Sequence, residues 1–141
     1  MTLYAESSAV LAWLLGERAG ERVRQALARA ELVMASDLTL VECDRVLIRA
    51  RTSGDLSTSA AADLRARLNA AALHWNVLHV DSEVVERARR PFPGEPIRTL
   101  DALHLATAVI ARAAVTGLAL LSLDSRIRAA GAQLGLGVVP S

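Results

Sequence analysis

An α/β fold, a central parallel sheet covered by helices on both sides, is predicted by two features of this 141-residue sequence. Short apolar runs alternate with helical segments from end to end, and parallel strands require such crossover connections. Hydrophobic residues make up 52% of the chain and aromatic residues only 3%. A core of Leu, Val, Ala and Ile suits helices laid on a parallel sheet. The length fits one domain spanning residues 1–141, since domains commonly hold roughly 100–150 residues.

The elements follow in order. Leu3–Ala5 reads as a short first strand, and the hydroxyls of Glu6-Ser7-Ser8 can cap a helix through Leu15 that stops near Gly16. Gly20–Ala30 places Val23, Ala26 and Leu27 on one face and arginines on the other. Leu32–Ala35 is a buried strand, and Thr39 opens a helix to about Arg51. Ser57 caps the next helix, which runs to about Asn69 or a few residues further. Val77–Val80 is a strand and Ser82–Arg89 a helix, with Asp81 as its cap. Prolines 91, 93 and 96 make a loop. Thr99–Ala114 is the strongest helix; a strand at Leu118–Leu121, a helix at Ser125–Leu134 and a last strand at Gly137–Val139 complete the pattern. In such sheets the functional site gathers at the carboxyl ends of the strands, where the topology switches direction.

Charge narrows the function. The formal net charge is +1, so a nucleic-acid partner must be held by a local patch. All 16 basic residues are Arg. The absence of lysine argues against P-loop, Schiff-base and response-regulator chemistry. Cys43 is the lone cysteine, which excludes an intrachain disulfide and fits a reducing cytoplasm. The N-terminus lacks a signal-peptide pattern, and residues 102–121 contain His104 and Arg112, so a soluble, cytoplasmic protein with no membrane association is expected.

Three acids fall at strand ends or just beyond: Glu6 after the first strand, Glu42 early in the helix after the second, and Asp124 after Leu121-Ser122-Leu123. Asp101 opens the long helix. Singly, each is an ordinary helix-terminus charge. Together they would repel unless protons or a cation offset them. Oxygen ligands without a Cys or His cluster suit Mg²⁺ or Mn²⁺, and the matching chemistry is hydrolysis of a phosphodiester by activated water.

Those residues carry a resemblance. Tyr4-Ala5-Glu6-Ser7-Ser8-Ala9, Leu38-Thr39-Leu40-Val41-Glu42, Arg98-Thr99-Leu100-Asp101-Ala102-Leu103-His104-Leu105-Ala106 and Leu121-Ser122-Leu123-Asp124 are similar, in order and spacing, to the four acidic motifs of PIN-domain proteins. The short chain resembles the VapC toxins of that family. The resemblance implies an α/β/α sandwich and a Mg²⁺- or Mn²⁺-dependent endoribonuclease acting as a toxin on RNA. It also implies a VapB-like antitoxin partner and a homodimer. Glu6, Glu42, Asp101 and Asp124 become the catalytic, metal-binding acids, with Ser7 and Ser122 supporting them. The first motif departs from the family, which usually supplies Asp where Glu6 stands. A catalytically lapsed RNA-binding module, or a metal-dependent phosphatase or DNA nuclease using the same acids, are the alternatives.

Other residues rank below these. His104 lies one turn after Asp101 and reads first as a histidine satisfied within the helix layer, second as a base or ligand. His74, His79, Cys43 and Asp37 read as structural, and Asp44 as a solvated surface charge. Arg45, Arg49 and Arg98 are candidate RNA-backbone contacts, with Arg51, Arg126 and Arg128 behind them. Trp13 belongs to the core or to a partner groove.

Overall fold

The computed structural model describes residues 1–141. Its strands are β1 (Thr2–Ala5), β2 (Leu32–Ser36), β3 (Asn76–Leu78), β4 (Ala119–Leu121) and β5 (Gly137–Val139). Its helices are α1 (Ser7–Leu14), α2 (Gly20–Arg29), α3 (Asp37–Ser53), α4 (Thr58–Ala72), α5 (Ser82–Ala88), α6 (Thr99–Ala114) and α7 (Ser125–Gln133). Every strand joins one sheet of order β3-β2-β1-β4-β5, and every pairing is parallel.

Alternate side chains of β1 divide the core. Leu3 and Ala5 face the layer built on α1–α4, packing with Val10, Leu14, Val23, Cys43 and Leu68. Tyr4 faces the opposite layer with Val84, Leu105, Leu120 and Ile127, from α5, α6, β4 and α7. Both faces are covered, as a parallel sheet requires. Trp13 is half-buried against the α1–α4 layer. Gly20 permits α2 to start directly against α1, since a Cβ there would collide with the Ala12 carbonyl oxygen.

Boundaries differ from the sequence expectation where side chains compete with the backbone. The third helix starts at Asp37, two residues early, because the Ser36 hydroxyl accepts from the Leu38 amide and serves as the cap. It continues to Ser53 and ends at Gly54, whose φ of 85° closes the helix. The third strand spans Asn76–Leu78, because pairing with Met34–Ser36 sets its extent. Asp81 caps α5 by accepting from the Val84 amide, as expected. No helix is long and apolar enough to cross a membrane.

The chain moves outward from β1 to β2 and β3, then returns to β1's other side for β4 and β5. The switch point therefore lies between β1 and β4. Open parallel sheets leave a crevice at the carboxyl ends of such a strand pair.

Candidate active site

Glu6 follows β1 directly, and its amide donates to the Leu121 carbonyl at 3.0 Å, locking it beside β4. It is 4% exposed. One carboxylate oxygen, Oε2, accepts from the Ser8 amide at 3.1 Å, the Ser8 hydroxyl at 2.5 Å and the Ser122 hydroxyl at 2.8 Å. The other, Oε1, accepts no hydrogen bond, yet it is not sealed from solvent. Burial raises the proton affinity of Glu6, and the Ser8, His104 and Ser122 contributions do not cancel that rise. Side chains have fixed one oxygen and left its twin open.

Ser8 ties the first motif to the fourth. Its hydroxyl accepts from the amides of Leu123 at 2.9 Å and Asp124 at 3.1 Å while donating to Glu6. The Asp124 amide also donates to Ser122 Oγ at 3.1 Å. Asp124 itself caps α7, accepting from the amides of Arg126 and Ile127 through Oδ1. Those bonds aim the start of α7 at the β1–β4 crevice.

Glu42, six residues past the end of β2, is half-buried and repeats the pattern of Glu6. Its Oε1 accepts from Ser7 Oγ at 3.0 Å and from His104 Nε2 at 2.5 Å, and Oε2 accepts nothing. Burial pushes its proton affinity up, but the hydrogen bond and electrostatic pull of His104, with Ser7, hold it below the ordinary glutamate value. His104 is 1% exposed; its Nδ1 stands 2.9 Å from the Tyr4 hydroxyl and its Nε2 3.2 Å from Ser7 Oγ. Nε2–H donates to Glu42, and Nδ1 is paired with the Tyr4 hydroxyl, as acceptor in the neutral ring or donor in the charged one. Sequence expectation treated His104 foremost as an internally satisfied residue. It is satisfied, and the partner that satisfies it is a site acid.

Tyr4→Phe tests that chain. It strands a buried imidazole nitrogen, so stability is expected to fall by about 1–2 kcal/mol. The midpoint of urea unfolding checks this; an unchanged midpoint would show that Tyr4 contributes nothing.

Asp101 lies in the first turn of α6 and is half-buried. Burial raises its proton affinity, Asp124 raises it further, and Glu42 adds to the rise; Arg98 and His104 pull the other way without prevailing. The carboxyl therefore feels the charges of the second and fourth motifs. As arranged, no three acidic or imidazole groups converge closely enough to hold a metal ion. The donor chemistry nonetheless suits a hard cation. Every ligand candidate is an oxygen, Glu6 and Glu42 each keep one oxygen without a donor, and Asp101 is crowded by like charge.

The remaining candidates separate clearly. Arg98 lines a cleft of about 570 Å³ that also includes Asp101 and Arg126, whereas Arg45 and Arg49 are exposed on α3 and take no part in it. Asp44 is not the solvated charge expected. It is half-buried beside the α3–α4 cleft, with Oδ1 lacking a hydrogen bond and Arg65 Nε at 3.5 Å. His79 lies 3.0 Å from Asp37, tying the segment after β3 to α3. Cys43 is fully buried, and burial followed by the nearby Glu42, Asp44 and Glu6 charges pushes its thiol up to about 12. A thiol so held is no nucleophile at neutral pH.

The sheet is wholly parallel, and near its switch point Asp101 feels the charges of Asp124 and Glu42. The sequence model of the PIN domain family matches residues 3–133, and the chain belongs to that family. The chain is 33% identical over 137 residues to ribonuclease VapC46 of Mycobacterium tuberculosis, covering 97% of this chain and 95% of that one. The fold is shared with FitAcB from Neisseria gonorrhoeae, with a TM-score of 0.71 at 20% identity, covering 99% of this chain and 97% of that one. It is also shared with VapC20 of Mycobacterium tuberculosis, a sarcin-ricin loop cleaving toxin, with a TM-score of 0.62 at 20% identity, covering 92% and 95% of the two chains.

Proposed function

We propose that this protein is a Mg²⁺- or Mn²⁺-dependent endoribonuclease acting as a VapC-like toxin. The observation that carries the reading is a buried Glu6 and a half-buried Glu42, each with one oxygen tied down and one without a hydrogen-bond donor near the carboxyl edge of the sheet. Glu6, Glu42, Asp101 and Asp124 would hold the cation. Bound there, it supplies Lewis acidity to the phosphodiester and to attacking water. The chain's own contribution is orientation. Ser8 and Ser122 fix Glu6, and Ser7 and His104 fix Glu42, so neither carboxylate must reorganise during the reaction. Arg98, beside Asp101, balances part of the local negative charge and offers a forked donor to RNA phosphate. Arg45 and Arg49 supply further backbone contacts from α3.

The same reading gives the protein a VapB-like antitoxin partner and a homodimeric, cytoplasmic state. The similarity to ribonuclease VapC46 and the fold shared with a toxin–antitoxin complex from Klebsiella pneumoniae, at a TM-score of 0.65, support the antitoxin partner. The test is incubation of the purified chain with RNA, single-stranded DNA and a phosphate monoester, in Mg²⁺, Mn²⁺ or EDTA. RNA alone is expected to be cut, and only with metal. Intact RNA in both metals rejects the assignment; cleavage of DNA or the monoester in its place points to a different hydrolase.

A further inference from the structure

The cleft beside Asp101 has features that the acids do not explain. It lies between the start of α6, one face of α7 and residues 94–97, with a volume of about 570 Å³. Ile97, Leu105, Ile127 and Ala130 give it apolar walls. Arg98 and Arg126 stand at its margin, both exposed, and neither guanidinium makes a hydrogen bond or ion pair within the chain. The Gln133 side-chain amide has no internal partner either. Gly94, at φ 82°, leaves room for it, since a Cβ there would sit 3.2 Å from both amide heteroatoms.

We propose that this cleft seats one nucleotide of the RNA strand next to the scissile phosphate. The base lies between the aliphatic walls, its edge meets the Gln133 amide, and its phosphate lies between Arg98 and Arg126. The inference rests on the ribonuclease reading and adds a subsite to it. Volume permits it, because small-ligand sites occupy roughly 300–1,000 Å³. Charge favours it: two unpaired guanidiniums match a phosphodiester, whose oxygens accept forked hydrogen bonds. Proximity favours it too, since Asp101 both lines the cleft and belongs to the acidic site. No aromatic ring lines the cleft, so recognition proceeds through the amide and the slot's shape.

The experiment is a titration of the metal-free full chain, followed by backbone amide NMR, with each of the four nucleoside 5′-monophosphates. Ribose 5-phosphate and inorganic phosphate serve as controls. At least one nucleotide is expected to shift Ile97, Leu105, Ile127 and Gln133 together, and the controls are expected to leave those four unmoved. Ala129→Phe fills the cleft from an exposed α7 position. It should abolish those shifts and raise KM for RNA about tenfold, with Mn²⁺ affinity as in the wild type. If it misfolds by circular dichroism, Gln133→Leu takes its place and should change which nucleotide binds best.

Silence from all four nucleotides overturns the subsite. So do shifts mapping elsewhere, or identical shifts with ribose 5-phosphate. A carboxylate-bearing peptide that occupied the cleft while no nucleotide did would assign it to a protein partner and likewise overturn the proposal. Nucleotide binding in the cleft by a chain that cuts no RNA retains the subsite and removes the ribonuclease reading. RNA cleavage with unchanged KM in Ala129→Phe does the reverse.

Discussion

Asp101→Asn is expected to lower metal-dependent RNA cleavage on the order of a thousandfold, the upper range for deleting one preorganised charge contact. Asparagine keeps the size of the side chain and the start of α6. What it removes is the charge already opposed by Asp124 and Glu42. Burial, with that opposition, raises the proton affinity of Asp101, so the ionised form is lost at higher pH than for an ordinary aspartate. Mn²⁺ affinity of the wild type should fall as pH drops, beginning above the ordinary aspartate value of 3.8, because proton and cation compete for the carboxylate. Two measurements decide the matter: single-turnover cleavage and calorimetric Mn²⁺ binding. Both should collapse while circular dichroism stays unchanged. A variant that still cuts at the wild-type rate would falsify the assignment of Asp101.

Local features of this molecule were legible in the sequence because their causes are local. Asp81 caps α5 by accepting from the amide three residues on, as its place before that helix implied. The strand and helix alternation also followed from apolar periodicity. The four acids could be proposed as a set because Glu6, Asp101 and Asp124 fall at element boundaries that periodicity can place, while Glu42 lies in the second turn of α3 and rests on the motif spacing. The resemblance also marked Ser7 and Ser122, which bond Glu42 and Glu6; the parts played by Ser8 and Tyr4 were not legible. Ser8 acts by accepting from Leu123 and Asp124, and that bond exists only because β1 and β4 are neighbours. Tyr4 reaches His104 across 100 positions, from a strand face that alternation alone marks as core. The only sequence signal was spacing: His104 follows Asp101 by one turn and so shares its helix face. Asp44 misled for a related reason. Helical periodicity says which residues share a face, but not that α4 will bring Arg65 against that face.

Glu6→Gln should separate stability from function, in opposite directions. Glu6 is almost wholly buried, and its raised proton affinity means that ionisation is harder in the folded chain than in the unfolded one. The sign follows from linkage. Stability from this group is fully present below the unfolded value near 4.5 and is lost as pH rises through the higher folded value. At neutral pH the metal-free protein therefore bears the cost of Glu6, either as a buried charge or as a proton taken up on folding. Glutamine preserves the oxygen that accepts from Ser8 and Ser122, and its amide group replaces the oxygen that has no donor. Metal-free Glu6→Gln should melt above the wild type at pH 7, about 4 °C higher for each 1 kcal/mol relieved. Near pH 4 the two curves should converge. Saturating Mn²⁺ should reverse the order, because a cation that binds only the folded wild type stabilises it by mass action. Cleavage by the variant should fall on the order of a hundredfold or more. Calorimetric melts with EDTA and with Mn²⁺ test this crossing directly. If Mn²⁺ raises Tm equally in both proteins, Glu6 does not face the cation. Its burial then serves only to cap α1, and the metal would be left to Glu42, Asp101 and Asp124.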